Sequence, residues 1–173
     1  MLYRLSALTI ALSAMSLAAE PRLLDSAAPA VVLIFTRTDC PISNRYAPEV
    51  ERIAERFQAK GVEFHLVYPQ PGLSAADMEK HRAEFGYQIP ALLDSKQGYV
   101  KAAGATVTPE AAIFVKGKRV YLGRIDDRFP NLGIVRPKAT SHDLEDAVGA
   151  VLNGRAPAVA VTRAIGCAME KAP

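Results

Sequence analysis

The feature that most constrains this chain is a run of apolar and β-branched residues, Ala30-Val-Val-Leu-Ile-Phe-Thr36. A run with no polar alternation predicts a strand buried on both faces, as in a parallel or mixed sheet covered by helices. Downstream, Tyr46, Val50, Ile53, Ala54 and Phe57 recur at spacings of three and four, which is the apolar stripe of a helix. Lys60-Gly61 supplies its left-handed stop. Val62-Glu-Phe-His-Leu-Val-Tyr68 is a second apolar strand. Two buried strands separated by one helix assemble as a βαβ crossover, so the sheet is expected to be at least partly parallel.

The remaining elements follow in order. Pro69-Gln-Pro-Gly72 breaks the chain, Ser74 and Asp77 have the spacing of a capping box, and a helix is expected over 76–85 with Gly86 as its stop. Residues 89–94 read as a short extended piece. Residues 111–115 and 119–123 are β-rich runs whose connection through Lys116-Gly-Lys118 permits only an antiparallel hairpin. A long loop is expected over 127–139, functional or mobile. Ser141 is expected to cap a last helix through Leu144, Val148, Val151 and Leu152, ending at Asn153-Gly154. With 173 residues, half of them hydrophobic and 23% charged, the chain suits one globular domain, and no internal repeat appears. That domain is assigned to 30–154, after a linker over 20–29 and before an extension over 155–173 that carries Cys167.

The first 19 residues read as a secretory signal. Arg4 gives a positive start, Leu5 to Leu17 is apolar, and Ala18 and Ala19 offer small residues for cleavage. A membrane anchor is the alternative, but the apolar run falls short of the roughly 20 residues that span a bilayer. The expected location is therefore exported, periplasmic or extracellular, with no stable membrane insertion once the signal is removed. Cleavage would take away Arg4 alone among the charges, leaving a net charge one below the +3 of the full chain. Such a balance selects no partner. Basic residues are scattered, no zinc-type spacing of Cys and His occurs, and no glycine-rich phosphate loop is present, which argues against nucleic acid and nucleotides.

Chemistry concentrates on the two cysteines, Cys40 and Cys167. Cys40-Pro41 falls where the first strand gives way to a helix, beside unpaired backbone N–H groups and the positive end of the helix dipole. Proline suits the first helical position, and Arg37 adds positive charge; both favour a thiolate. Thr108-Pro109 directly precedes the hairpin, where a cis proline would set backbone opposite the cysteine. Cys167 either reaches back as a resolving thiol or structural bridge, or stays apart as a second free thiol or a partner in an intermolecular bond. A bridge closing so long a loop would contribute roughly 4 to 5 kcal/mol in the chain-entropy account.

Three segments carry a resemblance: Phe35-Thr-Arg-Thr-Asp-Cys-Pro-Ile-Ser-Asn44, Val107-Thr-Pro-Glu110 and Gly123-Arg-Ile-Asp-Asp-Arg128. They resemble the exported redoxin branch of the thioredoxin-like proteins, relatives of the alkyl hydroperoxide reductase and thiol-specific antioxidant group. The resemblance implies an α/β thioredoxin-like fold, a central mixed sheet flanked by helices. It places Cys40 in the redox position, makes Thr108-Pro109 the cis-proline loop, and sets the stretch from Arg124 through Asp126 to Arg128 near the site. Arg37, Thr38, Pro41 and Asp126 are its supporting residues. The chain departs from thioredoxins at Ser43, which replaces the second sulfur and excludes a local dithiol cycle. It departs from peroxiredoxins at Arg37 and Leu33, where that family has Thr or Ser and Pro; Thr36 and Thr38 stand close by.

The expected activity is a thiol-disulfide oxidoreductase or thiol-dependent antioxidant acting on a thiol or disulfide protein or a peroxide, with an external thiol reductant and no cofactor. Two rivals remain at this stage. One is a copper-binding or metal-delivery module using Cys40, Cys167, His142 and Met169, since copper(I) prefers soft ligands. The other is a non-catalytic interaction domain with a permanent Cys40–Cys167 disulfide. His65 and His81 are read as ordinary strand and helix histidines, and His142 as the one closest to the site.

Overall fold

The structure is a computed structural model and describes residues 23–170 and 172. The signal reading of residues 1–19 and the start of the linker lie outside them. Strands are β1 (Val31–Phe35), β2 (Glu63–Tyr68), β3 (Ala91–Leu93), β4 (Val107–Thr108), β5 (Glu110–Val115), β6 (Lys118–Gly123) and β7 (Cys167–Ala168). Helices are α1 (Pro41–Gln58), α2 (Ala75–Phe85), α3 (Gly98–Ala103) and α4 (Asp143–Leu152). Five strands form one sheet in the order β3-β2-β1-β5-β6. β1 and β2 run parallel, as do β2 and β3, while β5 is antiparallel to both β1 and β6. This is the thioredoxin-like mixed sheet that the sequence predicts.

The centre of the sheet follows from its composition. Every residue of β1 is between 0% and 1% exposed, so both of its faces are covered. Val32 and Ile34 pack with Tyr46, Val50, Ile53 and Phe57 of α1, Met78 of α2, and Leu144 and Val148 of α4. Val31, Leu33 and Phe35 alternate to the opposite face, against Leu24, Tyr99, Ala103 and Phe114. Helices thus lie on both sides, and the carboxyl end of β1 delivers the chain straight into α1. Ser74 caps α2 by accepting the Asp77 N–H at 3.1 Å, and Gly86 ends it in a left-handed conformation, as the spacing implies.

Three elements differ from the sequence reading. α3 is unanticipated because it has six residues and starts at Gln97 with no side-chain cap from that residue. Asp94, further upstream, supplies the cap instead, accepting the N–H groups of Gly98 at 2.6 Å and Val100 at 3.0 Å. α4 has His142, not Ser141, at its N-cap position. The Ser141 hydroxyl is occupied by the Asp143 carboxylate at 2.8 Å and the Arg124 guanidinium at 3.1 Å. The loop from 127 is held rather than loose. Asp127 accepts the N–H groups of Thr140 at 2.6 Å and Ser141 at 3.0 Å and pairs with Arg136. The Thr140 hydroxyl, these amides and Arg136 hold its carboxyl well below the usual carboxylate range against the effect of burial.

The stretch after α4, which shows no periodicity, is an ordered strap. Leu122 donates to the Ala160 carbonyl at 2.9 Å and Thr162 donates back to Leu122 at 3.0 Å, so the strap runs along β6 before β7 pairs with β4. Gly123 makes room for it, since a Cβ there would stand 2.8 Å from the Thr162 nitrogen. Among the described residues, no helix is long and apolar enough to cross a membrane.

Candidate active site

Cys40 is the N-cap of α1, with extended backbone (φ −92°, ψ 107°) and Pro41 in the first turn. Its side chain does what a capping oxygen does: the Ser43 N–H donates to Sγ at 3.5 Å. Asn44 donates to the Cys40 carbonyl at 3.0 Å and begins the helical ladder. The residue is 0% exposed. The sulfur therefore meets the amino end of an eighteen-residue helix in an environment from which water is excluded.

The opposite wall is the Thr108–Pro109 peptide, which is cis. As a thiol, Cys40 donates to the Thr108 carbonyl at 3.0 Å. β4 and β7 are antiparallel with Thr108 opposite Cys167, which carries the second sulfur onto the first. Gly166 makes this possible. A Cβ at that position would stand 2.6 Å from the Thr108 carbonyl carbon and 3.1 Å from the Pro109 nitrogen, so only glycine lets the strap cross there. Cys40 and Cys167 are both free thiols and hydrogen-bond to each other, with Cys40 buried and Cys167 half-buried.

Burial pushes the Cys40 thiol up, but hydrogen bonds from Cys167, from the Ser43 hydroxyl and N–H and from Thr108 outweigh it, and the net shift is downward. The hydroxyls of Ser43 and Thr108 are buried without a hydrogen-bond partner, and both favour the Cys40 anion. Cys167 moves the opposite way. Burial, its hydrogen bond to Cys40 and the Cys40 charge push it up to about 12, against the attraction of Arg37. The two shifts are opposite in sign, so the first proton lost from the pair comes from Cys40 and Cys167 keeps its own. A thiolate beside a thiol can close into a disulfide and deliver two electrons to an acceptor.

Of the residues singled out from sequence, the structure gathers Cys40, Pro41, Thr108, Pro109, Cys167 and Arg37. Arg37 forks onto Asp39 at 3.0 and 2.9 Å, donates to the Ala168 carbonyl at 3.0 Å and reaches Glu170 at 3.3 Å, clamping the strap beside the sulfurs. Thr38 holds the turn before Cys40 through Gln70, its N–H donating at 2.8 Å. Arg124 is not at the sulfurs. Its guanidinium grips Asp143 at 2.8 and 3.1 Å and Ser141, fixing the start of α4. Asp126 is buried beneath Tyr46, which donates to it, and accepts the Arg128 N–H at 2.8 Å.

His142 stands with Glu49 and Glu145, where ligand atoms lie within 4.8 Å of one another, and both carboxylates are bonded to Arg52. Met169 packs against the second core cluster. His81, rather than His142, reaches the reactive end of α1, meeting Asn44 at 3.0 Å and Tyr68 at 2.8 Å. Sequence reading also missed Tyr87, which lies close enough for the Cys40 charge to raise its phenol, and Gly166. Gly166 is adjacent to Cys167, and that adjacency is its one signal in the sequence. An open cleft lined by Val107, Leu132, Arg163 and Ile165 runs up to Gly166 from the surface.

Comparison with known proteins agrees with this geometry. A conserved uncharacterized protein from Geobacillus kaustophilus is 33% identical with a TM-score of 0.74, over 87% of this chain and 80% of that one. Hypothetical protein SMc02350 from Sinorhizobium meliloti 1021 is 26% identical with a TM-score of 0.73, over 87% and 82%. MTB dsbF, at 20% identity and a TM-score of 0.52 over 70% and 80%, shares the fold. No curated protein matches the chain. The model of the family described as Redoxin matches residues 17–131, which include Cys40 and the Thr108–Pro109 loop, and the chain belongs to that family.

Proposed function

We infer that this protein is an extracytoplasmic thiol-disulfide oxidoreductase in which Cys40 and Cys167 cycle between dithiol and disulfide, with the Cys40 thiolate as the reactive anion. The observation that carries this reading is the meeting of two free thiols at a helix start, one shifted toward its anion and the other toward its neutral form. Membership of the Redoxin family supports thiol chemistry. Export is supported by the signal-like pattern of residues 1–19. The partners are a thiol or disulfide protein and an external thiol reductant. Peroxide as the oxidant is the less favoured version, because Cys40 is sealed from water in the reduced state.

The test is oxidation of the mature protein with a mild disulfide oxidant, followed by mass mapping. A Cys40–Cys167 disulfide should form, lost in Cys40→Ser and in Cys167→Ser and reversed by reductant under native conditions. Two thiols that remain free after oxidation, or a bridge that opens only after denaturation, would remove this function.

A further inference from the structure

The two sulfurs differ in access in an unexpected direction. Cys40, at the helix start, is 0% exposed, enclosed by the Thr108 carbonyl at 3.0 Å, the Ser43 N–H at 3.5 Å and Cys167 itself. Gly166 lies flush on the Thr108–Pro109 backbone and closes the gap between strap and loop. Cys167 is half-buried, and the cleft lined by Val107, Leu132, Arg163 and Ile165 ends at the residue before it. Thiol–disulfide exchange requires the incoming sulfur to approach along the S–S axis, opposite the sulfur that leaves. Cys167 is the sulfur with exposed surface, whereas Cys40, at the amino end of α1, has none to offer an incoming thiolate.

Resting on the two-cysteine reading above, we propose that partner thiols exchange with this protein at Cys167, with Cys40 as the internal leaving group. In the oxidised protein a partner thiolate attacks Cys167 Sγ. A bond forms between Cys167 and the partner sulfur, the Cys40–Cys167 bond breaks, and its electron pair leaves on Cys40 as the thiolate. A second partner thiolate then attacks the first partner sulfur, releasing the partner disulfide and a Cys167 thiolate that takes up a proton. Two electrons pass from two partner thiols to the protein disulfide. In the reverse direction the Cys167 thiol loses its proton and attacks a partner disulfide, and one partner sulfur leaves as a thiolate. The Cys40 thiolate then attacks Cys167 Sγ, forming the Cys40–Cys167 bond and releasing the second partner sulfur as a thiolate. The Ser43 N–H, Ser43 hydroxyl and Thr108 hydroxyl hold the leaving anion in place.

The experiment mixes the oxidised full-length mature protein with reduced glutathione, quenches in acid within seconds, blocks free thiols with a maleimide and maps both cysteines by mass spectrometry. At least about tenfold more glutathione is expected on Cys167 than on Cys40, a difference of one decade in rate. The reverse distribution overturns the assignment while leaving the oxidoreductase reading intact. Failure to obtain any Cys40–Cys167 disulfide overturns both. A second measurement avoids internal reshuffling. In Cys167→Ser, with only one thiol, a bulky aromatic disulfide should label Cys40 at least about tenfold more slowly in the native protein than in urea. Equally prompt native labelling would show that Cys40 is open to partners and sink the proposal.

Discussion

A sulfur and a few donors set the chemistry. Capping by an oxygen satisfies a helix end, and at position 40 a sulfur takes that place, which makes its anion part of the helix start. Proton linkage turns this into a prediction. Folding lowers the Cys40 pKa, so its contribution to the reduced protein is fully present above the unfolded thiol value of about 8.5 and is lost as pH falls through the folded value. Folding raises Cys167, so its contribution is present below about 8.5 and is lost as pH rises toward about 12. Together they give the reduced protein a stability maximum near pH 8.5 from this pair. Denaturant midpoints measured under reductant should rise with pH up to that maximum in the wild type, and the thiol part of this rise should vanish in Cys40→Ser. Identical slopes in the two proteins would refute the assigned shifts.

Among the elements, the strap decides whether the two cysteines can meet. Its hold is backbone pairing along β6 and β4, with Arg37 clamping the Ala168 carbonyl, and it contributes few apolar side chains to the core. Gly166→Ala is therefore expected to act locally. Overpacking against the Thr108 carbonyl costs about 1–3 kcal/mol, which lowers the seated-to-unseated ratio of the strap by roughly fivefold to a hundredfold. Disulfide closure should slow by up to that factor while the global unfolding midpoint stays near the wild type's. Closure at the wild-type rate would mean that the strap does not need this close approach. Helices and paired strands announced themselves through periodicity, whereas the strap could not, because an extended segment held by main-chain bonds imposes no pattern on its side chains. α3 was hidden for a related reason: six residues are too few to express a 3.6-residue repeat, and its cap comes from Asp94 outside the helix.

At the scale of the whole molecule, stability rests on the sheet, whose middle strand is sealed on both faces. Leu33 is 0% exposed and lies opposite His65 on one side and Ala112 on the other, inside the second core cluster. Leu33→Ala should destabilise the protein by about 2–5 kcal/mol through lost burial and the cavity left behind, measured by chemical denaturation. A loss below about 1 kcal/mol would contradict the tight packing of this layer. The unbroken apolar run, the helical stripe and the glycine stops determined the layered α/β fold and the place of Cys40 at a helix start, because these depend on local pattern and on burying apolar surface. Neither that local pattern nor the family resemblance could name the partners of His142 and Arg124, which are chosen by packing: α4 claims Arg124, and the carboxylates of Glu49 and Glu145 stand by His142. Only the tertiary structure brought Cys167 to Cys40, shifted the two thiols in opposite directions and left Cys40 sealed. Contact between residues so far apart along the chain is fixed by strand pairing and a glycine-wide gap, and neither is written in any local repeat.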